Sequence, residues 1–382
     1  MKTNWCAQKG APVFVNNHLA FLLKKWHNQY NHSNIIFENP MDLLFHHSYN
    51  LDLLNLLNIV GVDSPYKTLY PQIYSEFGQP LSLASQEILK QVSAALGSAL
   101  ISPAIAFVLS IIPQFDKAPL LDLMLDQEGF LAALEQNEPR LLSQKDQLFI
   151  LFQVLAPVIQ EIELLGFREY WLSEFYPVVE ERVDQMDDSL FRLNFMEGVN
   201  RFFKQENLPE EVNIFLSAFN AHHGVRLTRH NSMLDISFSD QKILDFSLHE
   251  VIQSAVTNLG IPDLLHPLVE DPFIRLAFEK SKSVTAIEEI ETYIQENIVE
   301  ACKVYLLYKH GFLPDPYSYL QSHQQGAFIL AVIILDFLEW NPNSADTLTT
   351  AMKSWMDQQP VGNLMMLYQQ AMQRAGKEIG DS

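Results

Sequence analysis

Three short runs, EVNIFLSAF, GVRLTR and SMLDISFS, interrupt a chain in which almost every other segment carries helical periodicity. They are β-branched or alternate apolar with polar residues, and the turn-forming clusters Asn-Ala-His-His-Gly and Arg-His-Asn-Ser separate them. Such runs read as three strands, here an antiparallel meander, because a strand places successive side chains on opposite faces. The period then returns at once to that of a helix in DQKILDFSLHEVIQSAVTNLG. The fold implied is α+β and predominantly α-helical, with a small antiparallel sheet packed on that helix and a large helical N-terminal part.

The helices have their own punctuation. MDLLFHHSYNLDLLNLLNIVGV places Leu43, Leu44, Leu51, Leu54 and Leu57 at helical offsets, and Gly61 supplies a stop. Ser64-Pro65 opens a turn before TLYPQIYSEFG. Further helices fit SQEILKQVSAAL, APLLDLMLDQEGFLAALEQ, QKDQLFILFQVLAPVIQEIELL and REYWLSEFYPVVEERVDQM, and the aromatic residues of FREYWLSEFYP read as packing. The one candidate boundary is the polar stretch FKQENLPEE, residues 203–211. It divides the chain into a helical region 1–205, a sheet-plus-helix region 206–311 and a C-terminal helical region 312–382, the last two also fitting one continuous domain.

Composition narrows the function. With 382 residues the chain is long enough to bury a core without a disulfide or metal staple. Its 25 Lys+Arg against 46 Asp+Glu leave a net charge of −21. That field argues against nucleic acid, which needs a basic footprint, and against anionic membrane surfaces; it favours a peptide or protein partner of neutral or basic character. Cys6 and Cys302 form neither a disulfide framework nor a metal-spaced pair, and Cys302 reads as an inert core thiol. Gln8, Lys9, Asn16, Asn17 and His18 break every apolar run near the N-terminus, so the expectation is a cytoplasmic protein. Residues 92–112 run 21 positions without a charge, long enough to span a bilayer. Pro103 and four Ser interrupt them, and Ser102-Pro103 reads as a break between two buried helices; the membrane reading stays open. The run at 326–338 reads as core.

No GxSxG elbow, GxxxxGK[ST] loop or GxGxxG fingerprint is present. The chemistry-bearing pattern is His249-Glu250-Val251-Ile252-Gln253, which has the shape of the zinc-binding HExxH helix with Gln at the second His. In the intact motif two His one turn apart supply zinc ligands, and the Glu acts as general base on a metal-bound water. A carboxamide is a weak ligand beside imidazole, so Gln253 marks a damaged zinc site. Downstream, IEEIETYIQENIVEACKVYLLYKHG places Glu296, 43 positions after Gln253 (296 − 253), and Glu300 one turn later. Read for chemistry, Glu296 is a candidate third ligand. Read for solubility, Glu288, Glu289, Glu291, Glu296 and Glu300 are a solvated acidic face. His222, His223, His230 and His266, in turns and loops, are the candidates to complete a metal set; His46 and His47 share that discount, and Tyr305 and Tyr308 are assigned no role.

LHEVIQSAVTN resembles the active-site helix of a bacterial family of gluzincin-like (zincin) metallopeptidase relatives, and TYIQENIVEA resembles that family's later helix. YPQIYSEFG is similar to a helix upstream in it, and the resemblance extends over about residues 38–311. It implies His249 as first zinc ligand, Glu250 as general base and Glu296 as third ligand. Gln253 departs from the pattern at the second ligand, and Glu300 stands where the family tends to have Arg. Both departures fall on the site. Three readings follow: a zincin-like pseudoenzyme with a degenerate metal site that binds a peptide or protein, a non-enzymatic helical interaction or scaffold protein, and an active metallohydrolase with a non-standard ligand set.

Overall fold

The computed structural model describes residues 41–61, 66–96, 100–193, 195–203, 211–220, 223–228, 230–285, 287–340, 347–358 and 362–376, with backbone alone within 189–195. Cys6 and the rest of the N-terminal segment, the Ser64-Pro65 turn, His222 and most of the 203–211 stretch lie outside them.

MDLLFHHSYNLDLLNLLNIVGV is not one helix. Its first third is strand β1, Asp42–His47, in which Leu43 and Phe45 alternate with more exposed neighbours. Ser48 then caps helix α1, Tyr49–Val60, its Oγ accepting from the Leu51 N–H at 3.3 Å. That side-chain acceptor, at a residue with extended backbone, starts the helix here instead of further upstream. Gly61 ends it as the sequence implies, its N–H reaching Leu57 O.

The uncharged run 92–112 is also divided. Helix α2, Leu83–Leu96, and helix α3, Ser102–Leu109, are separate, with Leu100 and Ile101 belonging to neither. Pro103 sits in the first turn of α3, where no N–H is needed. APLLDLMLDQEGFLAALEQ forms α4, Leu120–Leu125, and α5, Gln127–Asn137, because Asp126 turns out of the first helix and caps the second through Gly129 N. Helix α6, Lys145–Leu164, buries a stripe from Phe149 to Ile162. With the turn before it, Pro139–Leu164 is the one stretch among the described residues long and apolar enough to cross a membrane. REYWLSEFYPVVEERVDQM likewise forms two helices, α7, Phe167–Glu174, and α8, Tyr176–Leu193.

The sheet is mixed and four-stranded, in the order β1-β2-β4-β3, with β2 Glu211–Ser217, β3 Gly224–Arg226 and β4 Asn231–Asp235. β1 and β4 both run parallel to β2, and only β3 is antiparallel, paired to β4. The antiparallel meander expected from the sequence is therefore corrected. Burial explains it: Ser232, Met233, Leu234 and Asp235 are all buried, so β4 needs cover on both faces and both edges, whereas β3 is short and partly exposed. β3 carries the chain back along the outer edge, letting β4 enter beside β2. Helix α9, Asp240–Asn258, follows directly.

Two helices cover the sheet. On one face α1 donates from Asn55 Nδ2 to Ser217 Oγ at 2.8 Å. On the other, Ser232 reaches Glu250 of α9. Every residue of α1 after Tyr49 is buried, polar ones included. Asn50 Nδ2 donates to Phe115 O and Ala118 O; Asn58 Oδ1 accepts from the N–H groups of Ile101 and Ser102; Ser102 Oγ donates to Asn55 Oδ1. Asp52, fully buried, accepts from Trp171 Nε1 at 2.8 Å, Ser217 Oγ at 2.5 Å and Ala218 N at 2.9 Å.

The described chain forms two compact units, each built from separated stretches. One comprises Pro40–Leu190 and Asn207–Asn258, and holds the sheet. The other includes Phe191–Glu206 and Leu259–Ser382. In it, helix α10, Ile290–Lys309, is tied to α12, Ile329–Trp340, across the connection made by α11, Pro316–Ser322. Asn297 Oδ1 accepts from Ala331 N at 2.9 Å, and Tyr293 Oη donates to Ala327 O at 2.9 Å. From Ile329 to Leu338 α12 is buried throughout; Asp336 within that run pairs with Arg374 of α13, Leu364–Arg374.

Burial pushes the Asp52 carboxyl up to about 6, against the lowering effect of its donors. Its folded value thus exceeds the unfolded 3.8, so the stability it contributes is fully present below 3.8 and is lost as pH rises through about 6. Asp52→Asn removes that titration. Urea denaturation should show the wild type losing about 2 kcal/mol relative to Asp52→Asn between about pH 4.5 and pH 7. A pH-independent offset between the two proteins would contradict this.

Candidate functional site

Helix α9 begins where Ser239 Oγ accepts from Lys242 N at 3.3 Å, with Asp240 in its first turn. Arg182 of α8 fastens this start, donating to Asp240 Oδ1 at 2.6 Å and to Phe238 O at 2.8 Å. Close approach to the sheet depends on Gly224, since a Cβ there would lie 2.6 Å from Phe246 Cε2 and 2.8 Å from Leu234 Cδ2. Past this contact α9 is buried nearly all round, from Ser247 to Val256 with His249 as the half-exposed exception.

Glu250, 5% exposed, turns toward the sheet. Ser232 Oγ on β4 donates to its Oε2 at 2.8 Å, and Arg226 Nε on β3 lies 3.7 Å from the same oxygen. Ser232 and Arg226 are register partners on adjacent strands, so the β3–β4 pairing delivers both to one carboxylate. A buried carboxylate without such partners costs several kcal/mol, about as much as a small domain can spare. The residue expected as a general base is thus held by the scaffold, one oxygen taken by a hydroxyl and facing a guanidinium.

The other expected site residues are distributed as follows. His249 and Gln253 share the helix with Glu250, Gln253 being 9% exposed. Glu296 and Glu300 lie on α10 in the other unit. Glu288, Glu289 and Glu291 are exposed, in keeping with a solvated acidic face. Glu300 departs from it: it is 3% exposed and its Oε2 lies 3.0 Å from Nζ of the equally buried Lys303. Among the candidate histidines, His223 is exposed and stacks on Tyr66, His230 is half-buried beside β4, and His266 is exposed in the other unit. His46 Nε2 is 2.8 Å from Asn213 Oδ1, and His47 lies against Trp171 and Tyr176, its pKa lowered by burial. Cys302 is fully buried and its thiol is pushed up to about 12, so it is unreactive.

Among the described residues no three His, Cys, Asp or Glu side chains converge as a metal would require. The donors at the motif positions His249, Gln253 and Glu250 are one imidazole, one neutral carboxamide and a carboxylate already engaged by Ser232 and Arg226. This set does not fit zinc, which takes three or four strong N, S or O ligands. Ser232 and Arg226 escaped sequence reading because the pairing that joins them to Glu250 follows from strand order, for which no local pattern exists. Lys303 carried a visible signal, three residues after Glu300 on one helical face.

Comparison of the chain with protein-family models, characterised proteins and solved structures yields no match.

The Ser232 hydroxyl is expected to be worth about 1–2 kcal/mol, because its removal strands a buried acceptor. Ser232→Ala should lower the urea midpoint accordingly, and an unchanged midpoint would show that Glu250 does not rely on it.

Proposed function

We propose that this chain is a zincin-like metallopeptidase relative with a degenerate metal site, a pseudoenzyme that binds a peptide or protein of neutral or basic character without cleaving it. The reading is carried by Glu250: the helix has the peptidase-like His249-Glu250 pair, yet the carboxylate is turned to Ser232 and Arg226. A small sheet running straight into that helix supports the same relationship. Gln253 supplies the reason for lost chemistry, since a neutral carboxamide in the second-ligand position weakens any divalent site. The excess of acidic over basic residues sets the sign of the partner.

A second reading, a non-enzymatic helical interaction protein unrelated to zincins, draws on the apolar residues that α6 exposes, Ile150 at 57% and Leu164 at 82%.

Elemental analysis of protein purified without chelators separates these. The proposal expects wild type with far less than one zinc per chain, and Gln253→His, which restores the pair of His one turn apart, with clearly more than the wild type. Zinc should then raise the melting temperature of the variant alone, because a metal bound only by the native state stabilises it. A full equivalent of zinc in the wild type would overturn the degenerate site; no uptake by Gln253→His would favour the interaction protein.

A further inference from the structure

The connection from α11 to α12 passes through three successive left-handed residues, Gln324 (φ 42°), Gln325 (φ 56°) and Gly326 (φ 75°). Glycine adopts that conformation freely; for the two glutamines it is strained, and strain of this kind persists only where neighbouring contacts impose it. His323, the residue before them, makes such contacts. Its ring is stacked between Tyr319, with centroids 5.1 Å apart and planes at 13°, and Phe328, at 5.8 Å and 19°.

The polar edge of that ring points at a buried charge. His323 Nε2 lies 4.0 Å from Glu300 Oε1. Glu300 and Lys303 are each 3% exposed, and Lys303 Nζ engages the other carboxylate oxygen at 3.0 Å. Oε1 is buried and has no hydrogen-bond partner among the described residues. One lysine therefore satisfies half of this carboxylate, and the second half faces an imidazole whose side chain is 29% exposed, within reach of solvent protons.

We propose that His323 is a proton-operated latch on the α11–α12 connection. In its protonated form the imidazolium forms an ion pair with Glu300 Oε1 and sits against two ring faces that favour a cation. Both contacts hold the left-handed turn closed. When the proton leaves, the positive charge facing the buried Oε1 is lost, and the strained turn opens more readily. From α10 the charged groups facing His323 are Glu300 and, behind it, Lys303; from α11 and the residue before α12 the rings of Tyr319 and Phe328 face it. Histidine is the side chain whose charge changes between about pH 5 and 8, so the latch responds in that range. The inference does not depend on the proposed function.

Hydrogen exchange of the intact chain tests it. After correction for intrinsic exchange, amides 324–328 should be about fivefold better protected at about pH 6 than at about pH 8, the protection following the proton taken up by the closed form. His323→Phe keeps a ring in the same sandwich and leaves the buried Glu300–Lys303 pair intact, and it should abolish the difference. Glu300→Gln should do the same wherever that variant folds. Equal protection of the wild type at both pH values, or a difference that persists in His323→Phe, would overturn the latch.

Discussion

The carboxylate of Asp52 is the point on which the sheet-bearing unit turns. It is fully buried, and it survives there because three donors from two distant parts of the chain converge on it: the Trp171 indole, and the Ser217 hydroxyl and Ala218 amide. A buried charge of this kind is stable only when its lone pairs are filled, so each donor must be in place for α1 to be central. Through Trp171 it holds α7, and through Ser217 and Ala218 it fixes the end of β2. Asn50, Asn55 and Asn58 extend the same logic along α1, satisfying backbone and side-chain groups around α3. The helix is therefore less a hydrophobic plug than a polar spine clothed in leucine.

That arrangement marks the limit of what local sequence could disclose. The leucines of α1 signalled a helix, and Gly61 signalled its end. Nothing local shows that Asp52 and three asparagines on that helix face inward, because polar residues in an amphipathic pattern read as its outer face. Their burial follows from what they meet 43 to 166 residues further along the chain. The same holds for the sheet. Its short strands and the helix after them were legible from alternation and from the change of period, but strand order was not. β4 enters the sheet beside β2 because four consecutive buried residues require cover, and β1 joins from a segment whose leucines also suited a helix. Sequence patterns describe each element alone; order and direction are decided by which faces need partners.

The candidate site divides in the same way. His249, Glu250 and Gln253 were recognisable by spacing, whereas the partners that define the state of Glu250 were not. Arg226 and Ser232 reach it only because antiparallel pairing places them side by side on one face. A guanidinium and a hydroxyl at a carboxylate turn a residue suited to proton transfer into one suited to fastening a helix onto a sheet. In this protein the Glu250 carboxylate fastens α9 to the sheet.

A double-mutant cycle on Arg226 and Glu250 measures that fastening directly. Arg226→Ala, Glu250→Gln and the combined variant, compared by urea denaturation, should show a coupling of about 1 kcal/mol, as expected for partners in one ion pair at a partly buried site. Additive single effects, with Glu250→Gln leaving stability untouched, would contradict the account and show that Glu250 does not fasten the helix to the sheet.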